Sequence, residues 1–174
     1  MDLVGPFPVS NGYKFVFTAV DAFTKFVVAA PIRNKEADTV AKVIVEKIFL
    51  PWGACTELLS DCGREFDNAL LTEICKLLGV SKLRTSGYRP QTNSCIERWH
   101  RVFNGMLAKI VSDHQRDWSA YVSFVVARYN ASCHSATKHS PFFLMTGRDP
   151  RWSIDVLLDG VIAQTTLSLS TPGK

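Results

Sequence analysis

The sequence lacks the features that mark membrane-spanning, secreted and zinc-binding proteins. No apolar run approaches the roughly 18 residues of a membrane span, so insertion into a bilayer is not expected. The amino end has no basic segment followed by an apolar one, as a secretory signal would show. The 5 cysteines include no CxxC pair, and the 4 histidines lack zinc-ligand spacing. An odd number of cysteines without a signal favours reduced thiols in an intracellular compartment.

The sequence does contain enough apolar residues for one domain with a sizeable core. Its 174 residues are 47% hydrophobic and 21% charged, ordinary values for a globular protein, and no repeat is visible. The net charge of +4 is unevenly distributed, because residues 80–110 hold 6 Lys or Arg and one acid, Glu97. A basic stretch around an acid suits a polyanionic partner, although a solvated basic face without a ligand is an alternative.

The order of apolar patterns along the chain predicts a mixed α/β sheet with helices packed on it. Residues 13–20 and 25–30 are rich in aromatic and β-branched residues around a short turn, which predicts a hairpin. Residues 86–94, rich in polar residues with Gly and Pro, predict a loop. We expect one domain over residues 1–159, with 160–174 as a flexible tail or linker. The other predicted elements are strands at 1–4, 57–60 and 81–85 and helices at 36–50, 66–78, 94–113, 118–130 and 141–145.

Three acids stand on three different predicted elements. Asp2 lies on the first strand, Asp61 closes the apolar stretch at 58–60, and Glu97 lies near the start of the long helix. Taken singly, each has an ordinary explanation as a terminal acid, a turn residue or a helix surface residue. Carboxylates from separate elements can also converge on divalent cations, which prefer oxygen ligands. Such a cluster suits phosphoryl transfer, because two cations can hold both the attacking and the leaving oxygen.

The long helix has two distinct faces. Helical spacing of about 100° per residue places Glu97, Arg101 and Asn104 away from an apolar stripe, so we expect them to face outward. A solvated Glu97–Arg101 pair of little consequence is the alternative. The predicted stripe is Ile96, Trp99, Phe103, Met106, Leu107 and Ile110. Trp99, with Trp118 of the next helix, is expected to anchor the core.

Several ordered motifs give the chain a family resemblance. They lie at residues 2–8, 20–26, 59–66, 88–98, 129–130, 134 and 140–148. With these motifs, the chain resembles the catalytic core of integrases from gypsy-type LTR retrotransposons and retroviruses, in the ribonuclease-H-like DDE superfamily. The likeness extends from Asp2 to about Asp155. It implies a ribonuclease-H-like α/β fold in which a five-stranded mixed sheet is flanked by helices.

The resemblance also implies a catalytic centre. By it, Asp2, Asp61 and Glu97 bind two Mg²⁺ or Mn²⁺ ions, one shared by Asp2 and Asp61 and the other by Asp2 and Glu97. The implied enzyme is a polynucleotidyl transferase and endonuclease. Water would trim the 3′ end of the element's DNA, and the freed 3′-hydroxyl would then attack target DNA. Asp21, which matches a family position in the hairpin turn, is expected to be structural, and Glu65 is expected in a first helical turn.

The implied partners are DNA and further copies of the chain. Element ends and target DNA would contact short polar residues of the predicted loop and exposed groups of the helix after it. The helices after residue 112 offer a surface for a homodimer or higher oligomer, and the implied location is the nucleus with a cytoplasmic particle stage. The expected DNA-contacting residues are Gln91, Thr92, Asn93, Ser94, Arg98, Arg101 and Asn104.

The chain departs from the family pattern in ways that leave alternatives open. It starts one residue before Asp2, and it carries Arg89 where His is usual and Ser94 where Gly is usual. The family's zinc-binding and carboxy-terminal DNA-binding modules are missing, as expected of a fragment or a decayed copy. A domesticated or decayed module that binds DNA or dimerises without catalysis is therefore the main alternative. A related ribonuclease-H-like nuclease or transposase is a third.

Overall fold

The computed structural model describes residues 1–84, 90–112 and 114–152, and only the backbone of residues 90–94. The tail predicted at 160–174, and with it the domain boundary, lies outside the described residues. Within them, no helix combines the length and apolar character that a membrane crossing requires.

The amino-terminal part of the chain forms a three-stranded antiparallel sheet. Its strands are β1 (Asp2–Val4), β2 (Phe15–Val20) and β3 (Val27–Ile32), in the order β1-β2-β3. The register places Asp2 opposite Thr18. Between β2 and β3, the Asp21 carboxylate accepts hydrogen bonds from the backbone N–H groups of Phe23 and Thr24 and from the Thr24 hydroxyl. These bonds close the turn, so the structural role predicted for Asp21 is confirmed.

A second sheet contains two parallel strands. β4 (Glu57–Ser60) pairs with β5 (Ser81–Arg84), and the connection between them contains helix α3 (Ala69–Leu77). Five strands in an α/β fold are therefore present, but among the described residues they form two sheets instead of the predicted single one. The physical reason is the shortness of β1. Its three residues pair with β2, and its approach to β4 is marked by a bond from the Met1 nitrogen to the Leu59 carbonyl oxygen, at 2.7 Å.

The remaining helices cover the two faces of the first sheet. Helix α1 (Ala37–Ile44) continues through a π-helical segment, Val45–Phe49, into α2 (Leu50–Trp52). The predicted helix at 66–78 begins later, because the Asn68 side chain accepts a bond from the Leu71 N–H and caps α3. Glu65 therefore precedes the helix, and its predicted place in the first turn is wrong. After β5 come α4 (Pro90–Leu107), α5 (Trp118–Ala131) and α6 (Pro141–Thr146).

The start of α4 corrects the predicted loop. Pro90 begins the helix, so Gln91, Thr92, Asn93 and Ser94 belong to its first turns and not to a loop. Proline suits the first helical turn, because its missing N–H has no partner there in any case. Residues 86–89, the rest of the predicted loop, lie outside the described residues. The helix also ends at Leu107, short of the predicted end at 113.

Alternation along β2 and β3 separates two hydrophobic clusters. One contains Phe17 and Ile32 with side chains of α1 and α3. The other contains Val16 and Val27 with side chains of α4 and α5. Trp99 and Trp118 are 0% and 2% exposed in this second cluster, which confirms both as core anchors. The predicted stripe is buried at Ile96, Trp99, Phe103 and Leu107, but Ile110, beyond the end of α4, is 43% exposed, so its predicted place in the stripe is wrong.

Asn130 ties α5 to the start of β3. Its side-chain oxygen accepts a bond from the Val27 N–H and its amide group donates to the Val27 carbonyl oxygen, both at 2.9 Å. Asn130 is 3% exposed, so the two backbone groups of Val27 have little access to water. Loss of a partner in such a place leaves buried polar groups unsatisfied.

We expect Asn130→Ala to lower the free energy of unfolding by about 2–3 kcal/mol, because it removes two hydrogen bonds and strands their partners. Urea denaturation followed by circular dichroism measures the change. Asn104→Ala, at an exposed position of α4, is the control and should change stability by less than about 0.5 kcal/mol. An Asn130→Ala protein as stable as the control would contradict the anchoring role.

Candidate functional site

Asp2 projects from β1 with its carboxylate partly withdrawn from water. One oxygen, Oδ1, accepts a hydrogen bond from the Leu3 N–H at 2.7 Å, and the side chain is 36% exposed. Burial raises the pKa of Asp2, and the negative charge of Asp61 adds to the rise, while the Leu3 N–H and His100 oppose it. A negative charge at this position is therefore costly unless a cation comes to it.

Asp61 follows directly on β4, at the carboxyl end of the strand. Its Oδ1 accepts a bond from the Gly63 N–H at 3.0 Å, which closes a tight turn. A β-carbon on Gly63 would lie 2.9 Å from the Glu65 carboxylate and 3.0 Å from the same Asp61 oxygen. A larger residue at position 63 would therefore displace one of these carboxylates, and the turn holds the exposed Asp61 carboxylate beside the strand end.

The fold brings two of the three predicted acids into mutual range. The bond from the Met1 nitrogen to Leu59 sets β1 beside β4, and the charge of Asp61 acts on Asp2. Glu97 is exposed on α4, in the turn that also carries His100. Within residues 1–84, 90–112 and 114–152, no three His, Cys, Asp or Glu side chains are grouped closely enough to hold a metal ion. Asp2 and Asp61 thus form an electrostatic pair, and the charge of Glu97 acts on His100, which neighbours Asp2.

His100 is a neighbour of Asp2 that the sequence analysis left without a role. Its Nε2 lies 2.9 Å from the Thr18 hydroxyl, and its Nδ1 lies 3.8 Å from Oδ2 of Asp2. Burial lowers the pKa of His100, while the charges of Asp2 and Glu97 act in the opposite direction. The available signal was spacing, because residues three apart on a helix share a face, and His100 follows Glu97 by three. Zinc-ligand spacing among the histidines does not indicate the contacts of His100 with Thr18 and Asp2.

The donor chemistry of the Asp2–Asp61 pair fits a hard divalent cation. Carboxylate oxygens are the ligands that Mg²⁺ and Mn²⁺ prefer. Two acids held near each other, one with its pKa raised by burial, are stabilised in their charged forms by a nearby cation. The groups around the pair therefore suit such an ion, and Glu97 is a candidate for a further ligand on α4.

The predicted DNA-contacting residues share the outer face and the first turns of α4. Arg98, Arg101 and Asn104 are all exposed, as the helical spacing predicted for Arg101 and Asn104. Residues 91–94 lie in the first turns of the helix. Arg98 and Arg101 are cationic and lie on the same helix as Glu97, the candidate metal ligand. Exposed cationic groups of this kind are suited to contacts with phosphate groups.

A cavity of about 480 Å³ borders this region without containing its acids. Its lining runs from the end of β2 past Trp52 and Cys55 to the edge of β4 and the start of α4. Among the described residues, Asp2, Asp61 and Glu97 are not part of that lining. Beside the cavity, Asp61 is exposed and Asp2 is half-buried.

Comparisons with known proteins show the family of the chain. A family model described as "Integrase core domain" matches residues 1–90. Over 149 residues the chain is 33% identical to the retrovirus-related Pol polyprotein from transposon 412 of Drosophila melanogaster, which covers 85% of this chain. The chain spans only 12% of that polyprotein.

Two solved structures share the fold. The catalytic core domain of BIV integrase matches with a TM-score of 0.66 and 24% identity, over 80% of this chain and 90% of that one. The HTLV-2 integrase catalytic core domain, in complex with magnesium and in a trimeric form, matches with a TM-score of 0.67 and 12% identity, over 83% and 92%. The resemblance drawn from the sequence motifs is thereby confirmed, and the chain belongs to the integrase core domain family.

Proposed function

We propose that this chain is the catalytic core of an integrase that trims element DNA at its 3′ end and joins it to target DNA by in-line phosphoryl transfer. The observation that carries the proposal is the Asp2–Asp61 pair, two carboxylates held at neighbouring strands of an integrase core domain. Carboxylate oxygens from two acids in one site are the ligands that hard divalent cations prefer.

Each acid has a distinct part in the proposed centre. Asp2, Asp61 and Glu97 would hold two Mg²⁺ or Mn²⁺ ions. When bound, such ions lower the pKa of a water or hydroxyl nucleophile and stabilise charge on the leaving oxygen. Asp2 contributes an oriented carboxylate, since the Leu3 N–H fixes Oδ1. Glu97 contributes a ligand from α4, a separate element, so the exposed DNA-facing surface adjoins the site.

The exposed face of α4 would carry the DNA. Arg98 and Arg101 are exposed on the helix that carries Glu97, and Asn104 is exposed about one turn beyond Arg101. Arginine binds phosphate through paired N–H groups, which positions a duplex without reading its sequence. Residues 91–94, at the amino end of the helix, would add polar contacts. DNA joining of this kind would take place in the nucleus.

A non-catalytic module is the second candidate, and one observation favours it. Asp2 and Asp61 are paired, but no group of three potential metal ligands exists in the described part of the chain. A domesticated or decayed copy could keep the fold and the basic face of α4 while it binds DNA or dimerises without cleaving. DNA cleavage or joining by the wild-type chain, in which all three acids are present, would distinguish the integrase from the non-catalytic module.

The first prediction concerns catalysis. The chain should nick or join model DNA ends with Mn²⁺ or Mg²⁺, and Asp61→Asn or Glu97→Gln should each reduce the rate at least ~100-fold, because each removes a charged oxygen ligand. Gel analysis of labelled oligonucleotides measures the products. Circular dichroism should show an unchanged fold.

Glu65→Gln is the matched control for these acids. Glu65 lies near Asp61 but pairs with Lys35 at 3.9 Å and stands outside the proposed centre, so the variant should keep activity. A wild-type chain that is inert with both metals would favour the non-catalytic module.

The second prediction concerns DNA binding. Arg101→Ala should weaken binding to duplex DNA for all sequences alike and reduce the slope of log K against log salt by about 1, because one phosphate contact is lost. Fluorescence anisotropy over a series of salt concentrations measures the slope. Lys109→Ala, an exposed cation beyond the end of α4, is the control. An equal loss in both variants would show that only total charge matters.

The third prediction concerns self-association through α5. Phe124 is 70% exposed on this helix, which suits the proposed dimer surface. We expect the chain to dimerise at high concentration, and Phe124→Lys to make it monomeric because a charge replaces an apolar contact. Light scattering measures the mass. Phe23→Lys, at a hairpin position that is 79% exposed, should leave the dimer intact. A wild-type monomer at every concentration would contradict the surface.

A further inference from the structure

We propose that His100 is a positioning residue that, held by Thr18, orients the Asp2 carboxylate and fixes its place relative to Glu97. This inference rests on the proposed function, because it assigns His100 a part in the metal centre of the proposed integrase. His100 would touch neither ion nor DNA and would act through Asp2.

Thr18 gives His100 a rigid point of attachment. Thr18 is 0% exposed and lies directly opposite Asp2 in the antiparallel pair β1–β2. Directly opposed residues project to the same face of a sheet, so the Thr18 hydroxyl and the Asp2 carboxylate face α4 together. The His100 ring reaches both, with Nε2 at 2.9 Å from Thr18 Oγ1 and Nδ1 at 3.8 Å from Asp2 Oδ2.

The position of the Thr18 hydroxyl hydrogen decides which nitrogen of the His100 ring carries a proton. It has two possible acceptors, the Asp2 carbonyl oxygen at 3.1 Å and His100 Nε2 at 2.9 Å. If Nε2 accepts it, the neutral ring carries its own proton on Nδ1 and turns that N–H toward Asp2. Both contacts of the ring are then attractive. The opposite tautomer keeps the Thr18 bond to the Asp2 carbonyl oxygen but turns a nitrogen lone pair toward the carboxylate, so an attraction between the neutral ring and Asp2 requires the proton on Nδ1.

The same contact couples two elements of the site. Glu97 and His100 share one turn of α4, whereas Asp2 and Thr18 belong to the sheet. The His100–Thr18 bond therefore fixes that turn against the strand that carries Asp2. It is not needed to dock the helix, because Trp99 and Phe103, both 0% exposed, already bury α4 in the core. Removing the imidazole should therefore leave the fold while loosening the site.

Titration of the chain with Mn²⁺ by calorimetry, without DNA, tests the inference. His100→Ala and Thr18→Val should each weaken Mn²⁺ binding by about tenfold, because groups that orient metal ligands have effects of this order. The double variant should be little weaker than either single one, since both changes break one chain of contacts. His100→Asn keeps an N–H donor near the place of Nδ1 and should restore most of the affinity. His139→Ala, at an exposed histidine on the segment before α6, is the matched control.

The outcomes separate this inference from the proposed function. If the wild type binds Mn²⁺ and His100→Ala binds it equally well, the positioning role is overturned and the metal centre stands. If the wild type binds no Mn²⁺, both fall. Thermal melting identifies a variant that fails to fold. Should His100→Ala unfold, Thr18→Val decides alone: weaker binding supports the role, and unchanged binding overturns it.

Discussion

The pairing of β1 with β2 is the constraint on which the site depends. β1 is only three residues long, and its register places Asp2 opposite Thr18. A shift of this register by one residue would turn the Asp2 carboxylate toward the opposite face of the sheet. Alternate residues of β1 therefore serve different ends. Leu3 packs against the core shared with α1 and α3, while Asp2 faces α4. One short strand both closes the core and presents the acid.

Electrostatics at this face are arranged around Asp2. Burial and the charge of Asp61 disfavour its ionised form, and the Leu3 N–H and His100 partly offset this effect. The balance differs from that of a surface ion pair such as Lys42–Glu46, which is 75% and 48% exposed and stabilises little. A carboxylate whose ionised form is disfavoured by burial is stabilised by a nearby cation, as the proposed metal centre requires.

The sequence predicted this site unevenly, for physical reasons. Helical spacing correctly placed Trp99 inside and Arg101 outside, because burial of an apolar stripe dictates both. The start of α4 was missed because Pro90 is read as a loop residue, although proline also begins helices. The role of His100 was missed because it depends on a tertiary contact with Thr18, 82 residues away. A pattern of neighbouring residues in the sequence cannot predict a contact over that separation. For the same reason it cannot predict that Met1 brings β1 beside β4.

The two halves of the candidate centre differ in how firmly they are held. Asp2 and Asp61 are each tied by a backbone N–H group, whereas Glu97 is exposed on α4. Holding the Glu97 side chain in one rotamer on binding a cation costs up to about 2 kcal/mol of conformational entropy. The corresponding cost is smaller for Asp2 and Asp61, because hydrogen bonds to backbone N–H groups already restrict their side chains. Affinity for a first cation and competence for catalysis are therefore separable properties of the proposed centre. On this proposal, a copy without a functional Glu97 could still bind metal and DNA. Metal binding alone therefore does not distinguish a catalytically active integrase core from an inactive one. DNA cleavage that depends on Glu97 does distinguish them.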